Sequence, residues 1–302
     1  MMKISYCWLY AINRYGYPPT IDNAIKALEE MHDMGFKYVE VEGVGNENMR
    51  EVYENRRLIK EKCDELGLKI INFCPILPDI ASMNKELRER AFEAYELGVE
   101  TAKYFQAETV QTDSFTPPLK FKGDIPYKEA INYGKVFNVE IDPAYDWEEH
   151  WGIIVESYRK CSDIAEKNGM KFCLEPRVGE LISNTDAFLR LYDHVGSKNF
   201  GMVLDTGHQH AQKEILPLSV EKAGKKIFYV HVSDNDGRIN EHLALGEGTI
   251  DWEGVFTALK KHDFNGYVAI DIGGVKDLRE SYISSKNYLV NLFKKLNIEY
   301  DV

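Results

Sequence analysis

Short apolar runs alternate with longer amphipathic segments along almost the whole chain. Eight runs, rich in branched and aromatic side chains, have the character of buried strands and lie at residues 4–9, 38–41, 69–73, 108–112, 170–174, 200–204, 227–230 and 267–270. Helical spacing of apolar residues follows each run, over residues 20–34, 50–66, 84–105, 147–168, 184–195, 215–223, 251–262 and 276–296. The pattern therefore predicts eight strand–helix units.

Eight such units favour an α/β fold of the (β/α)8 TIM barrel type. An open doubly wound sheet is the alternative, but it usually has fewer parallel strands and a glycine-rich phosphate turn after its first strand. No such turn follows residues 4–9. A chain of 302 residues could hold two domains, yet barrels often use this much chain as one. We predict a single TIM barrel domain over residues 1–302.

The segment 113–146, between the fourth strand and its helix, breaks this alternation. It is rich in proline, and it has too many aromatic residues for a disordered linker. Loops of this length in compact domains are usually functional, and on a barrel a loop after a strand emerges at the active-site face. We predict a cover over the site, with a simple packing excursion as the alternative.

Polar residues follow the last four predicted strands directly. They are Glu175, Asp205, His231 and Asp271. Since the carboxyl ends of the strands form the mouth of a barrel, we expect these side chains to meet there. Three carboxylates and an imidazole are costly to bury together unless a cation compensates them. Oxygen ligands with one imidazole suit Mn²⁺ first, with Mg²⁺, Co²⁺ and Zn²⁺ as alternatives.

Further candidates lie close to these strand ends and are predicted to bind substrate. Arg177 and Glu180 follow the fifth strand, His208 lies three positions after Asp205, and Arg238 follows the seventh strand. Both arginines are able to pair with carboxylate, hydroxyl or phosphate groups, and a surface salt bridge is the alternative for each.

The first four strands supply additional candidates. Trp8 is predicted to form an apolar wall against one sugar face, with packing in the core as the alternative. The other polar residues near these strand ends are Glu40, Glu42, Gln111 and Asp113.

Composition narrows the choice of partners. A net charge of −12 argues against nucleic acid and anionic membranes as obligate partners. The chain has no apolar run of membrane-spanning length, and its first residues lead into a strand pattern without an export signal. Five cysteines without close paired spacing are typical of reduced core residues. We predict a cytoplasmic protein that acts on a small molecule, with a homo-oligomer left open.

Four motifs resemble the sugar isomerase/epimerase superfamily, the xylose-isomerase-like barrels that include D-tagatose 3-epimerase and inosose isomerases and dehydratases. They are Leu-Glu-Pro at 174–176, Leu-Asp-Thr-Gly-His at 204–208, His-Val-Ser-Asp at 231–234 and Gly-Glu-Gly-Thr-Ile-Asp-Trp at 246–252. The resemblance implies a divalent metal held by the four strand-end residues. It also implies that the acids of the fifth and eighth strands move the proton, and that His208 and an arginine after the seventh strand touch substrate.

The resulting functional prediction is a sugar or sugar-derivative isomerase or epimerase that abstracts a proton next to a carbonyl bound by the metal. Glu175 is the predicted base. Asp271 stands where those epimerases usually have glutamate, and its shorter side chain favours a role as ligand only. Glu180 is slightly out of register for the second glutamate that is expected after the fifth strand.

Three alternatives share parts of this pattern. A metal-dependent lyase, either a dehydratase or an enzyme that cleaves carbon-linked glycosides, uses the same first step. An apurinic-site endonuclease shares the barrel but needs more metal ligands and a basic face, which the acidic charge opposes. A non-catalytic sugar-binding barrel is opposed by the four ligand-type residues.

Overall fold

The computed structural model of the protein describes residues 1–122 and 138–302. Eight strands pair in parallel in their order along the chain, and the eighth pairs with the first, which closes the sheet. Barrel strands 1 to 8 are Met2–Tyr6, Tyr38–Val44, Lys69–Ile76, Thr109–Asp113, Lys171–Glu175, Phe200–Asp205, Ile227–Val232 and Tyr267–Ile270. The predicted TIM barrel is confirmed.

Helices surround the barrel. They are α1 Leu9–Tyr15, α2 Ile21–Asp33, α3 Gly45–Leu66, α4 Lys85–Phe105, α5 Trp147–Lys167, α6 Thr185–Val195, α7 Thr206–Ala211, α8 Leu216–Ala223, α9 Trp252–Lys261 and α10 Leu278–Lys295, with 3-10 turns at Pro78–Ala81 and Gly224–Lys226. Side chains cap several of them: Asn84 accepts from the N–H of Glu86 at 2.9 Å, and Asp146 accepts from that of Glu149 at 2.9 Å. No helix in the described ranges combines the length and apolar character that crossing a bilayer requires.

Three local predictions need correction. Barrel strand 1 ends at Tyr6 rather than at residue 9, and the residues that follow turn into helix α1. Helix α7 begins directly after strand 6 and was not among the predicted helices. A final two-residue strand, Tyr300–Asp301, pairs with the start of strand 1 and was not predicted.

Aromatic side chains pack strands 5 and 6 against helix α5. The rings of Phe172 and Phe200 stack with centroids 5.6 Å apart, and Tyr158 stacks on Phe200 at 6.3 Å. All three residues are fully buried. This packing fixes the two strands whose carboxyl ends carry Glu175 and Asp205.

The predicted cover is described only at its two ends. Lys120–Phe121 and Val139–Glu140 form a short antiparallel pair, and Phe115 is buried, with its carbonyl accepting from the N–H of Leu181 at 3.0 Å. Residues 123–137 lie outside the described part of the chain. A cover over the site stays a prediction.

Candidate active site

Strand register brings the predicted ligand residues together at the carboxyl ends of strands 5 to 8. Asp205 is the direct neighbour of His231 across strands 6 and 7. Ligand atoms of Glu175, Asp205 and His231 all lie within 4.8 Å of one another. A second group of this kind joins His231 and Asp271 to Cys7, so the two groups share His231.

The centre fits a divalent cation. Nδ1 of His231 lies 3.2 Å from Oε2 of Glu175 and 3.9 Å from Oδ2 of Asp205. Neither that Nδ1 nor that Oδ2 has a hydrogen-bond partner among the described residues, although both atoms are buried. Buried polar atoms are normally paired, and a cation between them would satisfy both.

Charge interactions at the centre support the same conclusion. Burial raises the pKa of Asp205 well above its usual range, and the neighbouring carboxylates of Glu175 and Asp271 raise it further. Burial also raises the pKa of Asp271, but His242 and His231 outweigh it, so the net pKa is lowered. Because burial beside two other carboxylates disfavours the ionised form of Asp205, a divalent ion at this position would stabilise it.

A series of hydrogen bonds between buried side chains orients the carboxylate of Glu175. Thr109 Oγ1 donates to Asn72 Oδ1 at 2.7 Å, and Asn72 Nδ2 donates to Gln111 Oε1 at 2.7 Å. Gln111 Nε2 then donates to Oε2 of Glu175 at 2.9 Å. Because each amide is oriented by its neighbour, the carboxylate receives a hydrogen bond of fixed direction.

Glu40 holds His231 in the same way. Its Oε1 lies 3.1 Å from Nε2 of His231, and both side chains are buried. A proton on Nε2 that is donated to Glu40 leaves Nδ1 free to accept a metal ion, which is the usual arrangement of a metal-binding histidine.

The Asp-Thr-Gly-His segment at the start of helix α7 makes close contacts with the end of strand 7 and the loop after it. Thr206 Oγ1 donates to the carbonyl of Ser233 at 3.0 Å. A Cβ atom on Gly207 would lie 2.4 Å from Oγ of Ser233 and 2.5 Å from Oδ1 of Asn240, so this position requires glycine.

His208 contributes a neutral imidazole. The backbone N–H of Val178 donates to its Nδ1 at 3.3 Å, which leaves the proton on Nε2. Burial and the charge of Arg177 lower the pKa of His208 well below its usual value. Its Nε2 lies 3.6 Å from Oε1 of Glu175, so an N–H donor stands next to the predicted base.

A cavity of about 370 Å³ opens above this centre, a volume suited to a small molecule. Its lining combines apolar side chains with polar and charged ones. The lining residues are Cys7, Leu9, Ile12, Asn13, Tyr17, Glu42, Gln111, Asp113, Glu175, Arg177, His208, His231, His242 and Asp271.

Two predicted substrate residues lie beside the centre in different settings. Arg177 lines the cavity and pairs with Asp113, and both are buried. Glu180 is 7% exposed, and neither of its carboxylate oxygens has a hydrogen-bond partner among the described residues. Burial raises the pKa of Glu180 well above its usual range, although Arg177 lowers it in part. The side chain of Glu180 does not line the cavity in the described part of the chain.

Two other predicted positions need correction. The side chain of Arg238 is 83% exposed and pairs with Asp236, whose Oδ2 accepts from Nε at 2.6 Å. Trp8 is 2% exposed and packs in the core beside Pro18 and Val41 rather than at the cavity. Strand 1 ends at Tyr6, so Trp8 lies between that strand and helix α1, and its side chain is buried in the core.

The structure adds residues that the sequence patterns did not indicate. Cys7 is a buried core residue, as expected, and it also lines the cavity beside Asp271 and His231. His242 also lines the cavity, and its Nδ1 lies 3.3 Å from Oδ2 of Asp271. Its position between the motifs at 231–234 and 246–252 was the available signal. Helix α1 brings Leu9 and Ile12 to the wall.

Two of the four motifs meet in a structural role. Asp234 is fully buried and accepts hydrogen bonds from the N–H of Gly246 at 2.9 Å and from Nε1 of Trp252 at 2.9 Å. A Cβ atom on Gly248 would lie 2.2 Å from Oδ1 of Asp234 and 2.3 Å from the carbonyl oxygen of Asn235. These residues fold the loop between strand 7 and α9.

Comparison with known proteins identifies the family. The family model described as xylose isomerase-like TIM barrel matches residues 28–290, and the chain belongs to this family. An uncharacterized protein of Methanocaldococcus jannaschii is 31% identical over 242 residues, which cover 78% of this chain and 75% of that protein. Inosose isomerase of Bacillus velezensis is 32% identical over 126 residues, which cover 39% of this chain and 45% of that enzyme. The chain thus matches less than half the length of this enzyme.

Solved structures support the fold. A D-tagatose 3-epimerase-like protein superposes with a TM-score of 0.73 and 24% identity, covering 98% of this chain and 100% of the other. The IOLI protein with a bound zinc atom superposes with a TM-score of 0.72 and 20% identity, covering 97% and 99%. Both likenesses extend over the whole barrel.

Proposed function

We propose that the protein is a divalent-metal-dependent isomerase or epimerase of a sugar or sugar derivative, which moves a proton at the carbon next to a carbonyl group. The observation that carries the proposal is the cluster of ligand atoms from Glu175, Asp205 and His231, which lie within 4.8 Å of one another. Glu175 and His231 also line the cavity. Asp271 completes the set from strand 8. When bound, the ion would act as a Lewis acid on the substrate carbonyl.

Glu175 is the proposed base. Its Oε2 is engaged by Gln111, whereas its Oε1 lies 3.6 Å from Nε2 of His208 on the cavity side. Substrate bound in the cavity would meet Oε1 as proton acceptor and the N–H of His208 as hydrogen-bond donor. General base catalysis of this kind typically contributes about 10²–10⁴ in rate.

Arg177 and Asp113 are the proposed hydroxyl-binding pair in the lining of the cavity. A paired guanidinium and carboxylate offer fixed donors and acceptors, which suits a polyhydroxylated ligand. Leu9 and Ile12 supply apolar lining, against which the C–H face of a sugar would lie. The names of the inosose isomerase and of the D-tagatose 3-epimerase-like protein support a sugar ligand.

Mn²⁺ is the proposed ion, because three carboxylates and an imidazole suit a hard to borderline cation. The thiol of Cys7 beside Asp271 makes Zn²⁺ and Co²⁺ the first alternatives to test.

The test is turnover of a panel of ketoses, inososes and keto-glycosides by the full chain loaded with Mn²⁺, with product mass and configuration as readouts. We expect a product of unchanged mass, and Glu175→Gln should lose nearly all turnover. Glu253→Gln, at an exposed ion pair with Lys295 outside the barrel, is the matched control and should keep it.

Two results would overturn the proposal. A product lighter by one water, or two products from one keto-glycoside, would identify a lyase. A chain that binds neither Mn²⁺ nor Zn²⁺ and turns over no member of the panel would be a non-catalytic barrel.

A further inference from the structure

His242 connects the loop after strand 7 to the proposed ligand on strand 8. Its Nδ1 lies 3.0 Å from the backbone carbonyl oxygen of Asp271 and 3.3 Å from Oδ2 of the same residue. The backbone N–H of Gly273 donates to the carbonyl of His242 at 3.1 Å, which ties the two segments together a second time. Both residues are 5% exposed, so water competes little for these contacts.

The other side of the imidazole contacts a buried amide. Nδ2 of Asn240 lies 3.0 Å from Nε2 of His242. An amide group that is turned around would present an oxygen instead, so the orientation of Asn240 decides which imidazole nitrogen carries the proton.

Asn235 fixes that orientation. Its Oδ1 accepts from the backbone N–H of Gly237 at 2.8 Å, and its Nδ2 donates to the backbone carbonyl of Gly207 at 2.9 Å. These two backbone groups allow one orientation of the Asn235 amide. The same Nδ2 donates to Oδ1 of Asn240 at 3.3 Å, which leaves the Nδ2 of Asn240 facing His242.

The direction of the whole chain of hydrogen bonds follows from these contacts. Nδ2 of Asn240 is only a donor, so Nε2 of His242 must accept. The proton of the neutral imidazole then lies on Nδ1, from which it is donated to Asp271. The backbone carbonyl of Gly207 and the backbone N–H of Gly237, which orient Asn235, thus determine the direction of the hydrogen bond that Asp271 receives.

We propose that His242, oriented by Asn235 and Asn240, is a positioning residue that holds the Asp271 carboxylate in place for the divalent ion. The inference rests on the proposed function only in taking Asp271 as a metal ligand. The short side chain of Asp271 has few rotamers. The Nδ1–H group of His242 lies close to both the backbone carbonyl oxygen and Oδ2 of Asp271, and it therefore favours one of these rotamers. Partners of this kind typically change metal affinity by about 10–100-fold.

The first experiment measures the Kd for Zn²⁺ by competition with a chromophoric chelator, without substrate. We expect His242→Leu to weaken binding by about 10–100-fold. His242→Asn, whose amide is able to donate from a position near that of Nδ1, should recover most of the loss. An unchanged Kd in folded His242→Leu would overturn the proposal.

The second experiment reads the tautomer directly and needs no variant that disturbs packing. In ¹⁵N-labelled wild-type protein loaded with Zn²⁺, long-range ¹H–¹⁵N spectra should show His242 protonated on Nδ1 and unprotonated on Nε2. Asn240→Asp, which puts an acceptor in place of the donor, should move a proton to Nε2 and weaken Zn²⁺ binding. Loss of the Nδ1 proton when Zn²⁺ is added to the wild type would make His242 a ligand and overturn the positioning role.

These outcomes are separate from failure of the proposed function. If Asp205→Ala leaves the Kd for Zn²⁺ unchanged, the metal centre itself is wrong, whatever His242 does. If Asp205→Ala abolishes binding and His242→Leu has no effect, the centre stands and the positioning role fails.

Discussion

Oδ1 of Asp205 accepts a hydrogen bond of 2.7 Å from the backbone N–H of His208, while Oδ2 of the same carboxylate faces Nδ1 of His231 at 3.9 Å. One oxygen therefore caps helix α7, and the other remains for the proposed ion. The spacing of three residues between the acid and the histidine follows from the cap, because the acceptor of an N-cap reaches the N–H three positions later.

The two oxygens of Asp205 are separable by substitution. Asp205→Ala should abolish bound divalent metal and also lower stability by about 1 kcal/mol through the lost cap. Asp205→Asn keeps a capping oxygen but loses the charge, so it should lose most of the metal and little of the stability. Elemental analysis of purified protein and thermal unfolding in the presence of EDTA measure the two effects. Unchanged metal content in Asp205→Ala would contradict the assignment.

Glu40 should control metal affinity without touching the ion. Glu40→Gln removes the charge that accepts the Nε2 proton of His231, and we expect a Kd for Mn²⁺ or Zn²⁺ that is about 10–100-fold higher. Glu47→Gln, on the exposed start of helix α3, is the control and should leave the Kd unchanged. Equal affinities for wild type and Glu40→Gln would mean that the Glu40–His231 contact has no role in binding.

The positions of the four proposed ligands at one end of the barrel were predictable, because barrel geometry converts position along the chain into position in space. Glu175, Asp205, His231 and Asp271 each lie at or directly after the end of an apolar run, and parallel strands bring such ends to one face. The fold followed from the same alternation of apolar runs and helical segments, which is strong when repeated eight times.

The predictions failed where the path of a loop decides the outcome. Whether Arg238 reaches the cavity depends on the turn at Asp236, which caps the backbone and holds the guanidinium at the surface. The place of Trp8 depended on where strand 1 ends, and an apolar run does not mark a boundary to within two residues. His242 reaches Asp271 through an irregular loop whose shape no periodic pattern encodes.

The motif at 246–252 marks a structural requirement rather than a group that reacts. Gly248→Ala should destabilise the protein by at least about 1–3 kcal/mol, because its Cβ would meet Asp234 and the backbone of Asn235. Gly152→Ala is the matched control: it lies in helix α5 with nothing within 4 Å of the added atom, and should be neutral or stabilising by up to about 1 kcal/mol. Chemical denaturation gives both values. A Gly248→Ala variant as stable as wild type would contradict the close approach.

Glu180 should make stability depend on pH. Its pKa in the folded protein is raised by burial, so the folded state holds a proton that the unfolded state releases above its ordinary pKa of about 4.3. The stability of the wild type should therefore fall with rising pH above about 4.3 by up to about 1.4 kcal/mol per pH unit from this group, until the raised pKa is passed.

Glu180→Gln removes that proton uptake. The free energy of unfolding of Glu180→Gln should therefore rise relative to that of the wild type from pH 5 to pH 8. Urea unfolding at several pH values, compared with Glu166→Gln on the exposed side of helix α5, isolates the contribution. A difference between wild type and Glu180→Gln that is constant with pH would show that the Glu180 carboxyl group is ionised in the folded protein.

Asp271→Glu separates the two roles that are proposed for the strand 8 acid. Oδ2 of Asp271 lies 3.3 Å from Nδ1 of His242, and its carboxylate stands in the ligand group with His231 and Cys7. A glutamate would bring its oxygens one methylene farther into this group, so we expect at least tenfold weaker metal binding and a lower rate. Deuterium wash-in from solvent into substrate, measured by mass spectrometry under metal saturation, reports proton transfer directly. Since an acid that serves only as a ligand gains nothing from added reach, faster exchange in Asp271→Glu than in the wild type would identify Asp271 as a base.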